Sequence, residues 1–198
     1  MPQKYRSVKK DIISFCGWPF LIKYVESTSG YLRGFISVLF ETGGRVSEVL
    51  QLKGKQFDLF THPELVIVRN MPVIKRFKKI GEIPDSTKKS GVRWITEPIE
   101  DFRTIPIRRN EPLVRYLIEY LERREPNELL FPICRSTAFN KVRRIGKRLN
   151  SPIPNARIDS SQIYNHFFRS ERACQLVDDY GFDIFELDRI FAWKSGNI

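Results

Sequence analysis

Apolar positions along the chain fall into helical and strand spacings in a definite order. Ile12, Phe15, Phe20, Ile22 and Val25 recur within Val8–Glu26, and 31–40 is largely apolar, so two helices are expected with Thr28-Ser29-Gly30 between them. Val46, Val49, Leu50 and Leu52 mark a short helix over 45–52, entered through Gly43-Gly44. The β-branched runs Leu65-Val66-Ile67-Val68 and Arg103-Thr104-Ile105-Pro106-Ile107 read as strands on either side of a basic segment containing Pro and Gly. Past Pro112 the helical period returns at Leu113, Tyr116, Leu117, Tyr120 and Leu121. It returns again at Phe139, Val142, Ile145 and Leu149, with Ser136 as the expected cap. Ser160-Ser161 precede a further helix over about 162–177, and Asp183 caps a last one through Phe191. With neither repeat nor long linker, residues 1–198 are expected to form one mostly helical α+β domain.

Composition narrows the partner. The 198 residues are 41% hydrophobic and 13% aromatic, enough for one sizeable core. Thirty-four Lys and Arg against 23 Asp and Glu leave +11, with a pI near 9.7, so a polyanion, foremost double-stranded DNA, is the expected partner. A basic surface with no polyanion to bind is the plainer alternative. Cys16, Cys134 and Cys174 are widely spaced, without CxxC or His partners, and support neither a disulfide framework nor a metal site. They are expected to be buried thiols. The apolar runs are broken by Lys23, Glu26 and Arg33 well short of a membrane span, and the N-terminus does not lead into a secretory signal, so an intracellular, cytoplasmic protein is expected.

Two motifs carry candidate chemistry. Arg45 follows two glycines at a helix entry, where backbone approaches a ligand closely and the helix dipole favours an anion. Its planar guanidinium can grip a phosphate bidentately, and Glu48, one turn on, can orient it. His166 and Arg169, three apart, project from one helix face toward a shared ligand. A solvated loop arginine and a chance H-x-x-R pair are the plainer readings of each motif alone. Lys141, Arg143, Arg144, Lys147 and Arg148 line one helix and are candidates for contact with DNA backbone. His62, in front of Pro63, reads as a turn residue.

Taken in order, these pieces resemble the tyrosine recombinase, or phage integrase, family. The stretch from Phe35 through Glu41-Thr42-Gly43-Gly44-Arg45-Val46-Ser47-Glu48 to Leu50 is similar to the family's first-arginine box. Arg103-Thr104-Ile105-Pro106-Ile107 resembles its closing strand, Leu130-Phe131-Pro132 the "LFP" before the next helix, and the segment from Tyr164 to Leu176 its His-x-x-Arg helix. The resemblance spans about Val8 to Ile198, the catalytic domain without the family's N-terminal core-binding domain. It implies a catalytic fold with a small antiparallel sheet. It also implies Arg45 and Arg169 as phosphate-binding catalytic arginines, Glu48 as acidic support, His166 as catalytic histidine, and Trp193 at a position where the family carries His or Trp. The family's hairpin lysine corresponds best to Lys75, with Lys89 as runner-up among Lys78, Lys79 and Lys88.

The implied activity is metal-free, cofactor-free strand cleavage and rejoining through a 3′-phosphotyrosyl link. The family's nucleophilic Tyr follows the Trp193 position by about nine residues, which falls past Ile198, whereas Tyr164 and Tyr180 sit in the wrong helices. A recombinase catalytic domain whose nucleophile is absent from this sequence, through truncation before it, natural loss or supply in trans by another protomer, is therefore the first expectation. A non-cutting DNA-binding regulator or architectural protein on the same scaffold is the second, and an RNA-binding protein a more distant third.

Overall fold

The computed structural model describes residues 14–80 and 92–192. Their elements run α1 (Trp18–Glu26), α2 (Tyr31–Thr42), α3 (Val46–Val49), β1 (Phe57–Asp58), β2 (Leu65–Ile80), β3 (Val92–Arg108), α4 (Val114–Leu121), α5 (Arg135–Leu149), α6 (Asn165–Tyr180) and α7 (Ile184–Phe191). The fold is α+β, mostly helical, with a small sheet. Its strands lie in the order β1-β2-β3, antiparallel throughout.

The central helix is α2, apolar on nearly every side, with Phe35, Ile36, Val38, Leu39 and Phe40 all fully buried. An all-round apolar helix must be enclosed, and α1, α4 and α6 enclose it. Phe131 shows why the Leu130-Phe131-Pro132 segment matters: its ring meets Phe35 edge-on at 5.1 Å and stacks on Tyr120 at 5.1 Å. Across the core, Tyr24 meets Phe168 edge-on and donates to the Val142 carbonyl at 2.7 Å, tying α1 to both α5 and α6.

Several boundaries differ from the sequence expectation. The first described helix begins at Trp18, where Gly17 at φ 86° precedes it and residues 14–17 are not helical; positions 8–13 of the expected helix lie outside the described residues. The short helix after Arg45 closes at Val49. Both strands extend beyond their β-branched cores into a long hairpin. The expectation stopped where the sequence turns basic, but cross-strand pairing continues to Ile80 opposite Val92. Pro72 and Pro98 are tolerated within it at register shifts between Val68 and Met71 and between Pro72 and Ile74. The cap of α5 is Cys134, not Ser136, whose hydroxyl instead lies 3.1 Å from the Cys134 sulfur. Cys134 is exposed, Cys16 buried and Cys174 in between, so only Cys16 matches the buried thiol expected of all three. The 162–177 helix starts three residues late, behind a 3-10 turn at Ser160–Gln162. Asp183 caps α7 as its sequence position implies, accepting from the Glu186 N–H at 2.9 Å.

Candidate active site

The turn out of α2 builds the first half of the site. Gly43 ends the helix in the left-handed region at φ 55°, and Arg45 then runs extended as the N-cap of α3. A side chain at residue 43 would meet two obstacles, since its Cβ would come within 2.1 Å of the Phe191 ring besides the strained φ. Glu48 closes the turn. Its carboxylate accepts the Arg45 N–H at 2.8 Å and the Arg45 guanidinium at 2.9 Å.

Glu48 does more than orient Arg45. It is fully buried, accepts the Arg103 Nη2 at 2.8 Å, and takes the Ile74 N–H at 3.2 Å. That amide lies beside the register shift in β2, immediately before Lys75, which pairs with Glu97 across the hairpin. Burial pushes the Glu48 pKa up. Arg103, the Arg45 N–H and the guanidiniums of Arg45 and Arg169 outweigh it, and the net shift is downward. The group is ionised.

The second half comes from α6. Arg169 is 2% exposed, and its two Nη atoms donate to the Gly43 carbonyl and, at 2.6 Å, to the Phe191 carbonyl. Its guanidinium also stacks over the Phe191 ring, 4.7 Å from the centroid. Desolvation, then Arg45 and Arg103, pull the Arg169 pKa well down, which places all three arginines within one another's field. His166 keeps an exposed edge. The protein mass around its ring, then Arg169 and Arg45, depress its pKa to about 4, so the imidazole is neutral at pH 7.

The structure thus brings Arg45, Glu48, His166 and Arg169 together from α3 and α6. It adds Arg103 from β3, which the sequence reading did not single out as a site residue. A signal for it existed: Arg103, Ile105 and Ile107 are buried while Thr104 and Pro106 are exposed, so Arg103 occupies the inward phase of its strand. Three guanidiniums face one carboxylate and a neutral imidazole, an excess of positive charge that suits an anion. Among the described residues no cluster of His, Cys, Asp and Glu could hold a metal ion. Trp193 and Lys89 lie outside the described residues.

The basic helix α5 is less uniform than its sequence. Arg143, Arg144, Lys147 and Arg148 are exposed. Lys141 is half-buried with its ammonium 5.4 Å over the Tyr31 ring, and Arg148 donates to the Ser27 carbonyl at 3.0 Å. The last two therefore already serve the fold. His62 is exposed in the turn before β2.

A cluster of arginines at a glycine turn, with a His-x-x-Arg helix beside it, defines a class, and comparison with known proteins names it. The chain belongs to the phage integrase family, whose model matches residues 18–198. Among solved structures it is similar to the Tn1549 transposon integrase in complex with circular intermediate DNA, at TM-score 0.57 and 16% identity over 90% of this chain and 55% of that one. It is likewise similar to the XerH site-specific recombinase bound to its difH substrate before cleavage, at TM-score 0.57 and 19% identity over 96% and 50%. At these identities the likeness is one of fold, and the chain spans about half the length of these structures. No curated protein matches it. No described helix is long and apolar enough to cross a membrane.

Proposed function

We propose that the chain is the catalytic domain of a site-specific DNA recombinase or integrase that works on double-stranded DNA in the cytoplasm. The observation that carries this reading is the meeting of Arg45, His166 and Arg169 around one buried carboxylate. Arg45, partly exposed, binds the scissile phosphate from the rim, and Arg169 supplies charge from the floor as negative charge grows on the phosphate oxygens. His166, neutral before binding, donates to or accepts a proton from a nonbridging oxygen. Lys75, on the strand that Glu48 fixes, is the candidate donor to the leaving 5′ oxygen, and Trp193 a further N–H donor to the phosphate. A tyrosine hydroxyl attacks phosphorus and gives up its proton to His166, the bond to the 5′ oxygen breaks, and that oxygen takes a proton from Lys75. The 3′-phosphotyrosyl link conserves the phosphodiester energy, so neither metal nor nucleotide cofactor is required.

A nicked suicide duplex tests the reading. The chain extended through a Tyr about nine residues past Trp193 should trap a covalent protein–DNA adduct. Arg45→Ala or Arg169→Ala should slow its formation on the order of 10²-fold or more, as loss of a preorganised charge stabiliser does. Tight duplex binding with no adduct, or an adduct indifferent to Arg45→Ala, rejects the catalytic assignment and leaves a DNA-binding protein that does not cut.

A further inference from the structure

We propose that Arg103 is a positioning residue for this site, one that locks the Arg45 turn, the strand entering Lys75 and the chain leaving α7 into a single arrangement. The inference rests on the reading of Arg45, His166 and Arg169 as a phosphate pocket. Arg103 reaches the pocket's supports and not its mouth: it is 8% exposed, and the partners of its Nη atoms are protein groups. Nη2 donates to Glu48 at 2.8 Å and lies 3.8 Å from the Met71 sulfur, while Nη1 donates to the Phe191 carbonyl at 3.0 Å.

Each partner leads to a different wall of the site. Glu48 passes the restraint to both the backbone and guanidinium of Arg45, and through the Ile74 N–H to the strand position before Lys75. The Phe191 carbonyl is also held by Arg169, so two guanidiniums fix the last residue of α7. Beyond it the chain turns through Ala192 at φ 47° toward Trp193. Among the described residues, α7 has a limited apolar anchorage. Its Leu187 and Phe191 form only a small apolar cluster with Leu176, separate from the main core. The forked guanidinium is suited to this work because its two terminal nitrogens serve two elements at once, whereas a lysine ammonium is a single point.

Inorganic phosphate titrated into the ¹⁵N-labelled chain, followed at the Arg45 Nε–Hε and His166 ring resonances, provides the test. Wild type should bind saturably at both. Arg103→Lys keeps the charge but cannot span Glu48 and Phe191. Its phosphate Kd should rise about tenfold, and the Arg45 resonance should shift before any phosphate is added. Melting temperature should hold within a few degrees and low-salt duplex affinity within about twofold, because the charge is kept and Arg103 is buried. Glu48→Gln should reproduce the loss with Arg103 still present, which keeps the test alive if Arg103→Lys fails to fold. The double variant should be no worse than the poorer single one, since both act along one path. Wild-type phosphate affinity and an unmoved Arg45 resonance in Arg103→Lys would overturn the proposal. So would a loss that tracks melting temperature and adds fully to that of Glu48→Gln. Absence of saturable phosphate binding in wild type would instead reject the reading of the pocket itself, and the proposal with it.

Discussion

Glu171 and His166 stand on the same helix and respond to acid in opposite senses. Glu171 is fully buried, with one carboxylate oxygen accepting the Cys16 N–H at 2.8 Å and the other without a hydrogen-bond partner. Burial, aided by the charge of Asp178, outweighs the Cys16 bond and lifts its pKa to about 7. The folded value lies above the unfolded one, so this group favours the fold in acid and progressively opposes it as pH rises from about 4.5 to 7. Glu171→Gln should therefore raise the melting temperature at pH 8, by up to on the order of 3 kcal/mol in stability, and lose that advantage near pH 5. Thermal melts across that range check it. His166 has its folded pKa below the unfolded value, so its contribution is complete above about 6.5 and is lost as pH falls toward 4. An anion in the pocket would oppose the two guanidiniums and raise that pKa. Phosphate binding at pH 5 should accordingly take up a proton, read calorimetrically from the dependence of binding heat on the buffer's ionisation enthalpy. A buried ion cluster behaves differently. Arg172 joins Glu41 and Glu111 inside the core, where burial and then the neighbouring charges, Arg172 lowering and Glu111 raising, leave Glu41 with a pKa well above its usual range. Arg172→Met strands Glu111 without its cation and should cost about 3–5 kcal/mol in chemical denaturation. Glu41→Gln should cost less, because burial already disfavours the charged form of Glu41.

Elements meet where side chains are small or absent. Helix α5 touches the 3-10 turn at Gly146, where an added Cβ would sit 1.9 Å from the Ser160 carbonyl oxygen; the same carbonyl's residue donates its hydroxyl to the Gly146 carbonyl at 2.8 Å. Backbone cannot yield as a side-chain tip can, so Gly146→Ala should destabilise by more than the ordinary gain in helix propensity would return, on the order of 2 kcal/mol net. Periodicity made such helices visible in the sequence: α2, α4, α5 and α7 each carry an apolar face or enclosed body whose spacing alone gives the element. Long-range events did not show. The β2–β3 hairpin outruns its β-branched core because backbone pairing continues across the prolines and charged positions that interrupt the strand signal. The start of α1 was hidden because Phe15 keeps a helical phase with Ile22, seven positions on, while Gly17 breaks the backbone between them. The residues gathered in the pocket were legible for a similar reason, since local motifs carry Arg45, Glu48, His166 and Arg169. Arg103 was not, because its partners lie 55 and 88 positions away in the chain.

At the scale of the whole molecule, charge and unequal stability bear on the proposed binding of DNA. The net +11 predicts duplex affinity that falls steeply with salt, with a log–log slope near −0.9 per phosphate contacted. On α5, replacing the exposed Arg143, Arg144 and Lys147 with Gln should flatten that slope, whereas Lys141 and Arg148 are partly committed to Tyr31 and Ser27 and should matter less. Stability is distributed unevenly in a way that bears on the site. Helix α2 is enclosed by the main core, while α7 exposes Ile184 and Phe185, buries Leu187 and Phe191 in its own small cluster, and is tied to the rest at the Phe191 carbonyl by two charged residues. Elements with few buried apolar contacts open locally at low free-energy cost. In native-state hydrogen exchange, α7 amides should exchange well before those of α2, through an opening that leaves the core intact. Because Arg169 supports both the α7 terminus and the proposed phosphate, an occupied pocket should raise α7 protection several-fold while leaving α1 and α4 unchanged. Equal protection of α2 and α7, or an α7 that ignores bound duplex, would show that the charged clamp does not link the pocket to the end of the chain.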